Sequence, residues 1–347
     1  MPAIHVILNP NARLNQSDAQ TRIARLERIV GSHGWVHYTR TLDDLRNIIR
    51  FIAPSHDDYL VCDGGDGSLH WAVNTVIDLV GCEESRLPIF VPARSGTIDF
   101  VATKAGIQGS APRVVRTLVE HLKRGVEPRL ESLDTLAIRG IELGPTGERE
   151  FSRIGFALAA GGVGARFFDK YYEERIRGRR AIAKIVSRAV SSHLSDHAGL
   201  PLSRDFLDYG RELFRPTRAR VTIDGWELPV TEHGALHAGS IDVNFKGLLR
   251  VFPLAKQAGV LHFQAGSIMP NELIRALPSL CLGTPIRSAH LTECGGREMI
   301  IVPLDGEELN PVIDGERFQR LEQLRIKSGP KLRIPALRTP LMRVRRF

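Results

Sequence analysis

The stretch Tyr59-Leu60-Val61-Cys62-Asp63-Gly64-Gly65-Asp66-Gly67-Ser68 decides the fold. An unbroken apolar run enters a cluster of three glycines and two aspartates, and from Ser68 to Val80 the pattern turns helical. This reads as strand, glycine turn and helix. Glycines let the backbone approach a ligand and take positive φ, while a helix N-terminus offers free amides and partial positive charge. The turn is therefore read as a phosphate cradle, with Asp66 placed to hold a magnesium ion that bridges phosphate oxygens. A tight turn with solvated aspartates is the plainer alternative, but it does not need three glycines in four positions. Spacing excludes two other cradles: no GxxxxGK[ST] is present, and the cluster lacks the third glycine of GxGxxG.

Outward from this turn, strands and helices alternate as in βαβ units. Ile4 to Leu8 reads as a strand, and Ser17 as the cap of a helix carrying Ile23, Leu26 and Val30 on one face until Gly31 and Gly34 stop it. Trp35 to Tyr38 is the next strand, and a helix from Leu42 to Ala53 ends before Pro54. Beyond the glycine turn come a strand Ile89 to Val91, a loop Pro92 to Thr97 and helical stretches to Arg124. Past Glu127-Pro128 strands follow without regular helices, at Asp134 to Ile138, Arg220 to Ile223, Val260 to Gln264 and Met299 to Val302. The expected organisation is an N-terminal α/β nucleotide-binding domain with a parallel sheet over residues 1–130, and a mainly antiparallel β domain over 131–330. A basic helical insertion near 165–193 interrupts the second domain, and 331–347 form a closing strand and basic tail.

Bulk properties narrow the function. A chain of 347 residues, 43% hydrophobic and 25% charged, is long enough for two cores. No long apolar run suits a membrane span, and the N-terminus lacks a basic leader, so a cytoplasmic protein is expected. Cys62, Cys82, Cys281 and Cys294 show no CxxC spacing and are read as buried thiols. The histidines show no metal-ligand spacing. A net charge of +8 favours an anionic partner. Nucleic acid is disfavoured, because aromatics are only 6% and no binding motif is present. The insertion carries Lys170, Arg175, Arg177, Arg179, Arg180, Lys184 and Arg188, and the tail Arg338, Arg343, Arg345 and Arg346, so an anionic membrane surface is the expected partner.

Five short elements occur in order: Asn9-Pro10, Gly64-Gly65-Asp66-Gly67-Ser68, Gly96-Thr97, Asp134 and Asp314-Gly315-Glu316. Together with Gly161-Gly162-Val163-Gly164 before a basic helix and the closing strand Lys331 to Ile334, this set resembles the diacylglycerol kinase and sphingosine kinase lipid-kinase family. The resemblance implies the fold shared with NAD kinases and diacylglycerol kinases, ATP bound between the domains, and phosphoryl transfer to a membrane lipid hydroxyl. It assigns phosphate contact to Gly64, Gly65, Gly67, Ser68, Gly96 and Thr97, nucleotide or metal contact to Asn9 and Asp66, and a supporting role to Asp134. Of two Asp-Gly-Glu turns, Asp305-Gly306-Glu307 and Asp314-Gly315-Glu316, the second stands before the closing strands in the family's order, so Glu316 is the implied general base. A peripheral position at the inner membrane face, and room for a homodimer, go with this reading.

The chain also departs from the pattern. His70-Trp71 stands where the family has an acidic residue, Asn11-Ala12-Arg13 lacks the early glycine, Phe100 replaces a polar residue after the Gly-Thr loop, and Ala258-Gly259 replaces an Asp-Gly associated with a structural magnesium. These departures motivate an alternative: a nucleotide- or lipid-binding member of the fold that has lost catalysis.

Overall fold

The computed structural model describes residues 2–12, 15, 19–145, 147–175 and 178–337. Ser17, Arg177 and the tail from Arg338 onward lie outside the described residues. The chain divides into two compact units, one of residues 1–133 with 331–347 and the other of 134–330.

The first unit runs β1 (Ile4–Leu8), α1 (Ala19–Val30), β2 (Gly34–Tyr38), α2 (Leu42–Ile52), β3 (Tyr59–Gly64), α3 (Asp66–Val80), β4 (Ile89–Arg94), α4 (Phe100–Lys104), α5 (Ala111–Lys123) and β5 (Leu130–Leu133). Strands β2, β1, β3 and β4 form a four-stranded sheet in that order, every pair parallel. All residues of β1 and β3 are buried, which is why both read as continuous apolar runs instead of alternating ones. Local chemistry sets the boundaries. Thr41 and Asp44 form a reciprocal capping box at the start of α2, and Ala53 takes a left-handed conformation at its end, directly before Pro54. The helix after the glycine turn opens at Asp66, two residues earlier than the sequence pattern predicts, so Gly67 and Ser68 belong to its first turn.

The second unit continues with β6 (Leu136–Gly144), β7 (Gly147–Gly155), β8 (Ala157–Gly161), α6 (Gly162–Glu173), α7 (Arg179–His197), α8 (Arg204–Phe214) and β9 (Thr217–Ile223). Short strands β10 (Trp226–Glu227) and β11 (Glu232–His233) precede β12 (Ala235–Gly239), β13 (Val243–Phe245), β14 (Leu249–Val251) and β15 (Leu261–Gly266). Then come α9 (Pro270–Arg275), α10 (Leu277–Leu282), β16 (Leu291–Gly296), β17 (Glu298–Pro303), β18 (Val312–Ile313), β19 (Glu316–Arg317) and β20 (Leu321–Ser328). Two antiparallel sheets result, with orders β10-β9-β17-β20-β6-β7 and β16-β15-β12-β8-β18-β19. Leu158, Leu236 and Phe263 of one sheet share a buried core with Val221, Met299 and Leu324 of the other, as alternating strands of a sandwich do. The chain finally returns to the first unit as β21 (Leu332–Pro335), antiparallel to β5.

Two expectations change. The helical insertion is larger than residues 165–193 and comprises three helices ending at Phe214, because α8 folds back on α7. Only Cys62 is a fully buried thiol, its pKa pushed up to about 12 by burial. Cys82 and Cys281 are exposed: the first follows the helix-ending Gly81, and the second lies in the short α10 beside the exposed Leu282.

Burial also holds imidazoles neutral. His37, stacked beside His5, and His237, against Gln264, each have the pKa lowered from 6.5 to about 4 by desolvation. The unfolded chain therefore binds more protons between pH 6.5 and 4, and stability present above that window is lost as pH falls through it. Denaturation midpoints are expected to drop from pH 7 to pH 5, with His37→Gln plus His237→Gln flattening the slope. An unchanged slope in that double variant would mean other groups carry the acid sensitivity.

Candidate functional site

In the first unit, β3 delivers the Asp63 carboxylate into a fully buried position at the base of the glycine turn. Arg22 of α1 donates to it twice, Nε to Oδ2 at 2.7 Å and Nη2 to Oδ1 at 2.7 Å. Ser95, after β4, donates its hydroxyl to Oδ1 at 2.6 Å. The Asp63 carbonyl accepts the Asn9 amide and the Asn15 side-chain amide, at 3.2 and 2.9 Å. Asp63 thus ties the ends of β1, β3 and β4 to α1. Sequence reading missed Arg22, Ser95 and Asn15, since a single arginine on a helix rich in arginine carries no visible signal.

The next residues show why glycine is required. A Cβ on Gly64 would stand 2.0 Å from the Ser68 hydroxyl, which accepts the Asn9 side-chain amide at 2.9 Å. Gly65 and Gly96 meet backbone to backbone: a Cβ on Gly65 would lie 2.9 Å from the Gly96 Cα, and one on Gly96 2.4 Å from the Gly65 Cα. The structure therefore brings the glycine loop and the Gly-Thr loop into direct contact. Gly65 is the N-cap residue of the 15-residue α3, and no side chain caps that helix start. Uncapped amides at the head of a long helix are the standard elements of an anion site.

The Gly-Thr loop closes on itself. Asp99, at φ 55°, accepts the Gly96 amide at 2.9 Å, and Thr97 is half-buried between them. Asp66 spans the two loops, accepting the amides of Phe100 and Val101 at 3.2 Å each. The Phe100 side chain is buried, so this departure from the family pattern is a core residue. His70 is likewise buried, edge-on to Trp71 at 5.4 Å.

Magnesium was expected at Asp66. Among the described residues no group of three or more His, Cys, Asp or Glu side chains converges on one point. A cage built from protein alone is thus not what these residues offer. One carboxylate beside an uncapped helix start suits the other common arrangement, in which magnesium keeps its waters and most of its ligands come from substrate phosphates.

In the second unit, the turn Asp314-Gly315 joins β18 to β19 with φ of 52° and 87°, as a two-residue hairpin with both central residues left-handed. The buried Asp314 carboxylate accepts the amides of Phe156 and Ala157 at 2.8 and 2.9 Å, pinning the hairpin to β8. Tyr172 of α6 donates its hydroxyl to the Gly315 carbonyl, and Arg317 stacks over the Tyr172 ring at 4.4 Å. Glu316 is half-buried, paired in register with Ile313. Asp134 accepts the Gly259 amide at 2.6 Å through its carboxylate, so the Ala258-Gly259 turn is held by a hydrogen bond. Ser240 donates its hydroxyl to the Asp134 carbonyl at 2.7 Å, and its own amide donates to the Phe156 carbonyl at 2.9 Å, which links Asp134 to the Asp314 anchor. Ser240, Phe156 and Tyr172 were not foreseen. Glu307 sits in the other Asp-Gly turn, its carboxylate accepting the Arg218 amide at 3.2 Å while Asp305 pairs with the Arg218 guanidinium at 2.5 Å.

Residues 3–128 match the family model of the diacylglycerol kinase catalytic domain. No curated protein matches the chain. Two solved structures of a "putative diacylglycerol kinase" from Bacillus anthracis str. Sterne superpose with TM-scores of 0.61 and 0.60, and one of a diacylglycerol kinase from the same organism with 0.54. Each is 12% identical, and each comparison covers 97% of this chain and 97% of the other. Over residues 3–128 the chain therefore carries the catalytic-domain signature of the diacylglycerol kinases, within a fold shared with these solved structures over 97% of its length.

Proposed function

We propose that the chain is an ATP-dependent lipid kinase that transfers the γ-phosphoryl group to a membrane lipid hydroxyl such as that of diacylglycerol. The observation that carries this reading is the uncapped start of α3, bracketed by Gly65 and Gly96 in backbone contact. That arrangement leaves the first amides of the helix uncapped where a phosphate would approach. In this reading Gly64, Gly65, Gly67 and Ser68 receive the phosphates from one side and Gly96 and Thr97 from the other. Asn9 orients the Ser68 hydroxyl, and Asp66 keeps the two loops in register through the Phe100 and Val101 amides. Asp66 is the residue that would hold magnesium, which when bound with the nucleotide would offset the negative charge of the phosphate oxygens. Glu316 accepts the proton of the lipid hydroxyl, with Asp134 in a supporting role. Exposed Arg179 and Arg180 suit attachment to an anionic membrane surface.

A second reading, nucleotide binding without transfer, is favoured by one observation: both Asp66 oxygens already accept backbone amides. Nucleotide protection addresses the step common to both. A ligand that binds only the native state at a hundred times its Kd adds about 2.7 kcal/mol of apparent stability. ATP with magnesium is expected to raise the melting temperature, and Asp66→Asn to remove most of that shift. An unchanged shift in Asp66→Asn would move the metal-nucleotide complex away from the glycine loop.

A further inference from the structure

Strand β19, which carries Glu316, is by itself a poor support for a side chain that must be held in place. It is two residues long, lies at the end of its sheet, and pairs among the described residues with β18 alone. A two-stranded hairpin with no further packing is marginally stable in water at best. The Asp314 carboxylate pins the turn to β8, but it does so ahead of Glu316. What holds the chain on either side of Glu316 is helix α6.

Phe168 and Tyr172, four positions apart, share one face of α6, and their rings stack at 6.3 Å. From that face the Tyr172 hydroxyl donates to the Gly315 carbonyl. The Gly315 carbonyl and the Glu316 amide belong to one planar peptide unit, so this bond fixes the peptide that enters Glu316. On the far side, Arg317 stacks over the Tyr172 ring at 4.4 Å and donates through Nη2 to the Phe168 and Asp169 carbonyls at 3.2 Å each. The helix in turn is fixed from its opposite face, about 200° around the axis, where Arg166 and Lys170 stand two positions before Phe168 and Tyr172. Arg166 donates to the Arg215 and Pro216 carbonyls at 2.7 and 3.3 Å, and Lys170 pairs with Glu212 of α8 at 2.7 Å. Between the two faces, the buried Tyr171 accepts the Gly178 amide on its hydroxyl at 3.0 Å. Helix α6 is therefore a braced strut against which the Glu316 hairpin rests.

We propose that Tyr172 is a positioning residue for phosphoryl transfer: its hydroxyl, backed by Arg317, sets the backbone from which the Glu316 carboxylate reaches the acceptor hydroxyl. A ring alone would serve packing against Phe168 and the stack with Arg317, and the hydroxyl is what reaches the turn carbonyl. A general base acts within hydrogen-bond reach of its proton, roughly 2.6–3.2 Å, and a displacement of about 1 Å can cost on the order of 10²-fold in rate. The proposal rests on the reading of Glu316 as that base, whereas the ties between α6 and the hairpin do not.

The test follows transfer of label from γ-labelled ATP to extracted membrane lipids dispersed in detergent, using the full chain. Tyr172→Phe keeps the ring beneath Arg317 and is expected to lower kcat by about ten- to a hundredfold, with KM for ATP and the nucleotide-induced melting shift unchanged. Added to Glu316→Gln, the same change should cost nothing further, because a residue that acts through the base then has nothing left to position. Arg317→Met should repeat the pattern, with a kcat loss that vanishes on the Glu316→Gln background. A merely structural role would give the same fractional loss with and without the Glu316 carboxylate. Wild-type turnover in Tyr172→Phe, or equal losses on the two backgrounds, would overturn the proposal and leave the kinase reading standing. A Glu316→Gln protein as active as wild type would overturn it too, by removing the base. A wild type that labels no lipid sinks the kinase reading itself, and this proposal with it.

Discussion

Glu316→Gln is expected to lower lipid phosphorylation by roughly 10²–10⁴-fold while leaving nucleotide affinity nearly unchanged. A general base acts on the acceptor hydroxyl, so its loss removes transition-state stabilisation without touching phosphate binding. The geometry makes the experiment clean. Asp314 anchors the hairpin to β8 and Tyr172 holds the Gly315 carbonyl, and both of these supports remain in the variant. Glu307→Gln is the control. Its carboxylate accepts the Arg218 amide at 3.2 Å, and an amide side chain retains an acceptor oxygen for that bond. Near-normal turnover is expected there. A silent Glu307→Gln beside an active Glu316→Gln would exchange the roles of the two turns.

Arg22→Met is expected to destabilise the first unit by about 3–5 kcal/mol, because it leaves the wholly buried Asp63 carboxylate without its cation. Only the Ser95 hydroxyl would remain on Oδ1. Denaturant unfolding measures the loss. Arg25→Met, on the exposed side of the same helix, should stay within about 0.5 kcal/mol of wild type. Pairing Arg22→Met with Asp63→Leu should recover part of the loss, since a buried pair replaced by apolar groups is often close to neutral. An Arg22→Met protein as stable as Arg25→Met would mean that Asp63 does not need Arg22 to remain buried.

Much of this architecture could be read from residues alone, for physical reasons that differ by element. Strands β1 and β3 are covered on both faces, so their apolar runs are unbroken, and glycine turns and Pro54 mark where helices begin and stop. The sandwich strands were found where alternation is clear, as at Val221 and Ile223 or Met299 and Ile301. Other features depend on contacts between distant residues and leave no local pattern. The grip of Arg22 on Asp63 spans 41 positions, and the hold of Asp314 on the Phe156 amide spans 158. Asp66 looked like a metal ligand because it stands in a glycine cluster. Its use of both oxygens on the Phe100 and Val101 amides emerges only once α4 is folded against the loop. Phe100, which looked like damage to the Gly-Thr loop, is a core side chain whose backbone amide serves that bond.

The most direct measurement incubates the protein with ATP labelled at the γ-phosphate, magnesium and extracted membrane lipids, then separates the lipid phase by thin-layer chromatography. The account predicts a labelled lipid in the presence of wild type that is absent with Glu316→Gln. Wild-type protein that binds ATP with magnesium yet labels no lipid, in vesicles or in detergent, would contradict it and leave a nucleotide-binding protein without transfer.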